Sequence, residues 1–193
     1  IAWLHGWDNI VALRVWALGL ALSHVGLVFW AARALLPRNA AALSVLCAAY
    51  ALAFGYPPED AIAVNGEPLQ LPALMVAVGV GAQAVRFSRG SRRRTPRLVG
   101  AGVAFGIATS IKQSAALHPI PLVLWLMVDA RRNKLPLASL VRDIALLTIG
   151  TLVVPVALVV QSIANGTFSD LYYYCVVYNR DVHLKPTTKH FAW

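Results

Sequence analysis

Three carboxylates are concentrated in one short stretch, and carboxylates beside apolar sequence can act as acids and bases. Glu59, Asp60 and Glu67 lie in GYPPEDAIAVNGEPLQLP, residues 55–72, although the 193-residue chain holds only eight acidic residues. Acidic groups near a membrane core are costly to keep there and tend to be functional. We predict all three as candidate catalytic groups. The alternative is structural, because Glu67 could simply favour a helix N-terminus and Glu59 and Asp60 could solvate a loop.

A lysine inside another apolar stretch could bind a phosphate. Lys112 is the first lysine of the chain, and it interrupts residues 98–128 in the segment IKQSAALHPIP. Its ammonium is a compact point charge on a flexible stem, which suits contact with a phosphate. We predict Lys112, Gln113 and His118 as substrate-binding residues. The alternatives are a lysine that snorkels from a helix end and an interfacial histidine.

A tyrosine-rich segment, FSDLYYYCVVYNRD, lies near the end of the sequence. Its apolar residues have helical spacing, and tyrosines favour the level of the lipid headgroups. The pattern predicts an interfacial helix, which could only anchor a domain or could form a lid beside a lipid-borne substrate. In the second case Tyr178, Asn179 and Arg180 would face the headgroup.

The composition requires that these groups be held by membrane helices. Hydrophobic residues make up 59% of the chain and charged residues only 13%, and the mean hydropathy is +0.64. A soluble domain carries about a quarter charged residues, so we predict an all-α, polytopic transmembrane bundle. The net charge of +9 fits loop arginines that set membrane orientation, and we predict no nucleic-acid partner. The two cysteines show no metal-type spacing.

About five membrane segments are expected, since one span needs about 20 apolar residues. The stretch GVAFG, Gly102 to Gly106, predicts close packing of its helix against a neighbour. The fourth segment is expected to be a short hairpin that turns at Lys112. The predicted segments cover residues 10–35, 40–55, 68–85, 98–128 and 144–163.

The basic loops predict the orientation of the bundle. Residues 86–97 and 129–142 are rich in arginine and are therefore expected in the cytoplasm. The acidic loop, the turn at Lys112 and everything after residue 166 then face outward. We divide the chain into a membrane module, residues 1–166, and the start of an external loop, residues 167–193.

Acids and a cation at the outer mouth of such a bundle suit one chemistry, the transfer of a sugar carried on a lipid phosphate. A carboxylate would take a proton from an acceptor hydroxyl. A cation or a divalent metal would offset charge on the departing phosphate.

The sequence resembles the GT-C membrane glycosyltransferases, among them the protein O-mannosyltransferases and the lipid A aminoarabinose transferases. ALRVWALGLALSHVGLVFWAARALLPRNAAALSVLCAAYAL is similar to their second and third spans, and NGEPLQLPALMVAVGV to the entry of the fourth. GVAFGIATSIKQSAALHPIPLVLWLM is similar to the fifth and sixth spans, and FSDLYYYCVVYNRD to the loop after the seventh. The resemblance covers most of residues 10–181.

The resemblance implies roles for the same residues. Glu67 corresponds to the fourth-span acid near the active site, and Lys112 and Gln113 correspond to the turn near the donor phosphate. Tyr178, Asn179 and Arg180 correspond to the start of the large external loop. Members of the family carry their main catalytic acid in a first external loop, which the resemblance implies would lie upstream of residue 1 here. The resemblance therefore implies a fragment that is inactive alone.

The sequence thus predicts a membrane glycosyltransferase of a bacterial inner membrane. It would move a sugar from a polyprenyl-phosphate donor to a lipid, glycan or protein acceptor on the outer face, among membrane lipids. One rival is a transporter or lipid flippase, in which the acids and Lys112 line a substrate path. Another is a non-catalytic membrane subunit.

Overall fold

The structure is a computed structural model that describes residues 10–36, 39, 66–88 and 91–178. Every regular element in these ranges is helical, as the composition predicted, and no strand occurs in them. The α-helices are α1 (Ile10–Leu35), α2 (Gly66–Arg86), α3 (Arg94–Ile111), α4 (Pro119–Arg132), α5 (Leu137–Ala164) and α6 (Phe168–Tyr172). A 3₁₀ helix (Gln113–Leu117) joins α3 to α4, and a π-helix (Tyr173–Tyr178) follows α6.

The helices coincide with most of the predicted membrane segments. The segments at 10–35 and 68–85 are α1 and α2, and the segment at 144–163 lies inside α5. The segment at 40–55 falls outside the described residues. Two of the described helices are long and apolar enough to cross a membrane, at Leu69–Arg86 and Leu137–Ala164. The number of membrane segments remains a prediction.

Residues 98–128 form two helical legs, as predicted, but the first leg is longer than expected. Helix α3 begins at Arg94 rather than near Leu98, and its 18 residues extend about 27 Å. The basic stretch continues into the helix because Pro96 lies in the first turn, where its missing N–H leaves no hydrogen bond unmade. Helix α4 has 14 residues and extends only about 21 Å.

Helix α2 packs against both α1 and α4 through small residues. A Cβ atom added at Gly79 would overlap the ring of Trp30 on α1, and one added at Gly81 would lie 2.6 Å from Leu122 Cδ2 on α4. These glycines therefore allow neighbouring side chains to approach the backbone of α2. The shared core includes Leu74, Ala77, Leu98, Phe105, Leu122, Leu126 and Leu147.

The close packing predicted from GVAFG is confirmed at Gly102. A Cβ atom added there would overlap the carbonyl oxygen of Leu147 and lie 2.8 Å from the Thr151 nitrogen. The reciprocal contact is equally tight, since a Cβ at Gly150 would lie 3.0 Å from Gly102 Cα. Helices α3 and α5 thus touch through their backbones, as small residues permit.

Helices α2 and α3 run antiparallel with a defined register. The side chain of Arg94, the first residue of α3, donates hydrogen bonds to the carbonyl oxygens of Ala84 and Val85 near the end of α2. One and a half turns further along α3, a Cβ at Gly100 would lie 4.0 Å from Val80 Cγ1 on α2. Continued along both helices, this register brings position 67 level with positions 112–113.

The end of the described chain forms a separate compact unit, since the chain divides into two units between Val154 and Pro155, inside α5. In the second unit, α6 and the π-helix leave Tyr172, Tyr173 and Tyr174 exposed. The rings of Tyr173 and Tyr174 meet edge to face, with centroids 5.3 Å apart. The division at residue 166 drawn from the sequence separates a membrane module from the start of an external loop, and it remains a prediction.

Candidate functional site

The beginning of α2 and the end of α3 bring two predicted site residues to one end of the bundle. Glu67 is the second residue of α2, as the sequence predicted, although its side chain lies outside the described part of the chain. A carboxylate in a first helical turn interacts favourably with the positive end of the helix dipole. Lys112 directly follows the last residue of α3, at the level that the antiparallel register assigns to Glu67.

Lys112 forms the corner between the two legs. Its backbone is extended, with φ −144° and ψ 121°, and its N–H donates to the carbonyl oxygen of Ala108. Its own carbonyl oxygen accepts a hydrogen bond from Ala115 N–H at 3.0 Å. Because Ala108 and Ala115 are fully buried, the corner is packed against the core on both sides of the lysine. The Lys112 side chain is half-buried.

Gln113 and His118 bracket the 3₁₀ helix, and both are exposed. His118 N–H donates to the carbonyl oxygen of Ala115 at 3.0 Å, and Pro119 then begins α4. The exposed side chains of Leu117 and Ile120 flank His118. The corner therefore presents a cation, an amide and an imidazole beside apolar side chains, a combination that suits a phosphate carried on a lipid.

Two polar residues at the same end were missed by the sequence analysis. Gln70 lies one turn after Glu67 and is buried, and Thr109 lies one turn before Lys112. Neither Gln70 Oε1 nor Thr109 Oγ1 has a hydrogen-bond partner among the described residues, although both atoms are buried. Buried polar atoms are normally hydrogen-bonded, so these two oxygens are exceptions that call for a partner. Their position inside apolar runs was the signal that could have found them.

The opposite end of α3 holds a buried charged cluster around Arg94. This residue, one of the arginines expected to set the orientation, is only 4% exposed. Its Nη2 donates to Asp143 Oδ2 at 2.7 Å and lies 3.8 Å from Asp129 Oδ2. Its Nη1 donates to the carbonyl oxygen of Phe87 at 2.8 Å. Arg94, at the start of α3, therefore connects the end of α2, the end of α4 and the start of α5 through hydrogen bonds and ion pairs.

Residues 3–158 match the family described as dolichyl-phosphate-mannose-protein mannosyltransferase. The chain belongs to this family. The match confirms the resemblance to GT-C enzymes, and membership implies a membrane glycosyltransferase of that type. No curated protein and no solved structure matches the chain significantly.

The remaining predicted site residues of this mannosyltransferase-family chain stay predictions. Glu59, Asp60, Asn179 and Arg180 lie outside the described residues. Tyr178 is the last residue of the π-helix and is exposed. It belongs to the second compact unit, whereas Glu67 and Lys112 belong to the first.

The described part of this mannosyltransferase-family chain contains no group of three His, Cys, Asp or Glu residues that could hold a metal ion. A divalent metal at the site therefore stays a prediction.

Proposed function

We propose that this chain transfers a sugar from a polyprenyl-phosphate donor to a lipid, glycan or protein acceptor on the outer face of a membrane. Family membership supports the reaction class, glycosyl transfer, and the family's name specifies a dolichyl-phosphate-linked mannose. The observation that supports the location is the antiparallel pairing of α2 and α3, which puts the Glu67 and Lys112 positions at one end. We propose a bacterial inner membrane as the setting.

The two residues have complementary roles in this proposal. The acceptor hydroxyl attacks the sugar carbon that bears the phosphate, and a carboxylate takes the hydroxyl proton. That carboxylate is either the acid that family members carry in their first external loop or one of Glu67, Glu59 and Asp60, of which Glu67 is our first candidate. The bond from the sugar carbon to the phosphate oxygen breaks, and the lipid phosphate leaves with its charge. Lys112 stabilises that charge as it develops.

The polar residues around the corner supply contacts to the substrates. Gln113 and His118 are exposed beside Lys112 and would donate to phosphate or sugar oxygens. Gln70 and Thr109 are buried with unpartnered oxygens, and we assign them to hydrogen bonds with the bound sugar or with the Glu67 carboxyl group. Tyr178, Asn179 and Arg180 would contact the lipid headgroup from the external segment.

The experiment that tests the proposal is a transfer assay with the full-length protein in liposomes. A radiolabelled sugar is supplied either on a polyprenyl phosphate or on a nucleotide, with a total lipid and protein extract as the acceptor. We expect transfer, together with release of polyprenyl phosphate, from the lipid-linked sugar only. Transfer from the nucleotide sugar, or movement of the intact donor across the bilayer without transfer, would contradict the proposal.

A further inference from the structure

A cavity lies at the opposite end of the bundle from Lys112, between the starts of α3 and α5. Its volume is about 440 Å³, and it is lined by Ser91, Arg92, Arg94, Thr95, Pro96, Ser139, Arg142 and Asp143. That volume falls within the range of about 300–1,000 Å³ typical of small-molecule sites. Arg94 and Lys112 bound α3, so the cavity is about 27 Å from the proposed transfer site by the rise of the helix.

The lining is cationic. It contains three arginines and one aspartate, and the aspartate is already paired with Arg94. The two other arginines, Arg92 and Arg142, are exposed and can reach a ligand in the cavity. The hydroxyl groups of Ser91, Thr95 and Ser139 add hydrogen-bond donors of the kind that phosphate oxygens accept.

Two helix N-termini meet at the same cavity. Thr95 lies in the first turn of α3 and Ser139 in the first turn of α5, and neither helix has an acidic residue in that turn. Arg93, which precedes α3, makes no side-chain capping hydrogen bond. The partial positive charge at the start of each helix is therefore not offset by a carboxylate in its own first turn, and such ends attract anions.

A buried unpartnered donor is the independent observation that points to a ligand. Arg94 lines the cavity and is 96% buried, since only 4% of it is exposed. Both of its terminal nitrogens make hydrogen bonds, but its Nε has no hydrogen-bond partner among the described residues. A buried guanidinium N–H is costly to leave unpaired, so the Arg94 side chain has unused hydrogen-bonding capacity beside the cavity.

We propose that this cavity binds a phosphate group. Planar guanidinium groups and helix N-termini both recognise phosphate oxygens, and the cavity combines the two. The phosphate can come from an anionic phospholipid of the adjacent leaflet or from a soluble phosphate. The site takes no part in the proposed transfer reaction and stands independently of it.

The test uses the full-length protein in phosphatidylcholine nanodiscs. In one arm the nanodiscs also contain phosphatidylglycerol, and the lipid retained by the protein is measured by native mass spectrometry. In the other arm inorganic phosphate is titrated by calorimetry into nanodiscs without anionic lipid. Each arm compares the wild type with Arg92→Gln/Arg142→Gln, with Arg92→Lys/Arg142→Lys, and with Arg131→Gln/Arg132→Gln.

The control pair Arg131 and Arg132 is exposed at the end of α4 and does not line the cavity. The control variant Arg131→Gln/Arg132→Gln removes two positive charges from the same end of the bundle, as many as Arg92→Gln/Arg142→Gln does. We expect Arg92→Gln/Arg142→Gln to weaken binding at least about tenfold, the loss of one charge-assisted hydrogen bond. The lysine pair should retain most of the affinity, and the control pair should stay within about twofold of wild type.

The arms identify the source of the phosphate. If Arg92→Gln/Arg142→Gln weakens binding of phosphatidylglycerol alone, the site is assigned to a lipid headgroup. If this variant weakens binding of inorganic phosphate alone, the site is assigned to a soluble phosphate. Loss in both arms means that the cavity accepts either source. The proposal is overturned if wild type binds neither probe, or if the control pair weakens binding as much as Arg92→Gln/Arg142→Gln does.

Discussion

At the scale of single residues, Glu67 is our first candidate among the carboxylates of this chain for accepting or orienting the acceptor proton. We expect Glu67→Gln in the full-length enzyme to lower the rate of transfer by about 10²-fold or more, the usual contribution of a positioned acid–base group. Thermal stability should change little, because glutamine keeps the size and most of the polarity of the side chain. The measurement is initial transfer rate at saturating donor, alongside a melting curve.

The matched control for Glu67 is Asp170→Asn, which neutralises an exposed carboxylate in the first turn of α6. It should leave the transfer rate unchanged. Equal transfer rates for Glu67→Gln and wild type would contradict the catalytic role. Glu67 would then only place a favourable negative charge at a helix N-terminus.

Asp143 provides a test of stability rather than catalysis. Among the described residues, removing it leaves the buried Arg94 with the more distant Asp129, at 3.8 Å, as its charged partner. We expect Asp143→Ala to lower the free energy of unfolding by about 3–5 kcal/mol, the penalty for breaking a buried ion pair. Unfolding in sodium dodecyl sulfate, followed by tryptophan fluorescence, measures the change.

The double variant Arg94→Met/Asp143→Leu distinguishes the cost of an unpaired buried charge from the contribution of the ion pair itself. It removes both charges, so it should be more stable than Asp143→Ala alone, although the carbonyl oxygen of Phe87 loses its donor. Arg93→Gln, at an exposed neighbouring arginine, should unfold like wild type. A single Asp143→Ala variant as stable as wild type would mean that the ion pair contributes nothing.

At the scale of the elements, the contact between α3 and α5 depends on the absence of a side chain at Gly102. We expect Gly102→Ala to lower the free energy of unfolding by about 1–3 kcal/mol, because a Cβ there overlaps the backbone of α5 and the helices must separate. Gly100→Ala is the control on the same helix, since its Cβ would meet only Val80, at 4.0 Å. That variant should be stabilised by up to about 1 kcal/mol through better helix propensity.

The comparison of the two glycine variants by unfolding in sodium dodecyl sulfate cancels effects on the unfolded chain. If Gly102→Ala were as stable as Gly100→Ala, the close backbone contact between α3 and α5 would be wrong.

The sequence predicted the helices where an apolar run is long enough to define one. The runs at 10–35 and 68–85 became α1 and α2, and the break at Lys112 separated two legs. The start of α3 was misjudged because arginines suggested a loop, whereas Pro96 and Thr95 are well suited to a first helical turn. Charge content alone therefore does not mark a helix boundary.

The buried polar contacts could not be predicted in the same way. Arg94 and Asp143 are 49 positions apart in sequence, and their pairing depends on how α3 packs against α5. Likewise, nothing in the sequence tells which face of α2 buries Gln70. An aspartate at the edge of an apolar run does indicate that a buried partner must exist, since an unpaired charge there is costly.

At the scale of the whole molecule, we predict the orientation in the membrane from the arginines. Arg94 contacts Asp129 and Asp143, so the two basic loops meet at the same end of the bundle, as the sequence required. The positive-inside rule predicts that both loops lie in the cytoplasm, and the turn at Lys112 is then expected to face outward. In a background without Cys47 and Cys175, we expect a membrane-impermeant maleimide to label Leu117→Cys in intact cells, but Ser88→Cys only after permeabilisation.

Both labelling positions are exposed, and they lie beyond the two ends of α3, so each serves as the control for the other. Labelling of Ser88→Cys but not Leu117→Cys in intact cells would reverse the orientation and put the proposed transfer site on the cytoplasmic face.

The central claim is that Lys112 holds the donor phosphate, and the donor concentration that gives half-maximal transfer tests it most directly. Wild type, Lys112→Arg, Lys112→Gln and the exposed-lysine control Lys134→Gln are compared as full-length proteins. A charge-assisted contact is worth about 1.5–3 kcal/mol, so Lys112→Gln should raise that concentration about 10- to 150-fold. Lys112→Arg should raise it less, and Lys134→Gln should leave it unchanged. An unchanged value for Lys112→Gln would contradict the account, because the lysine would then only extend from a helix end toward water.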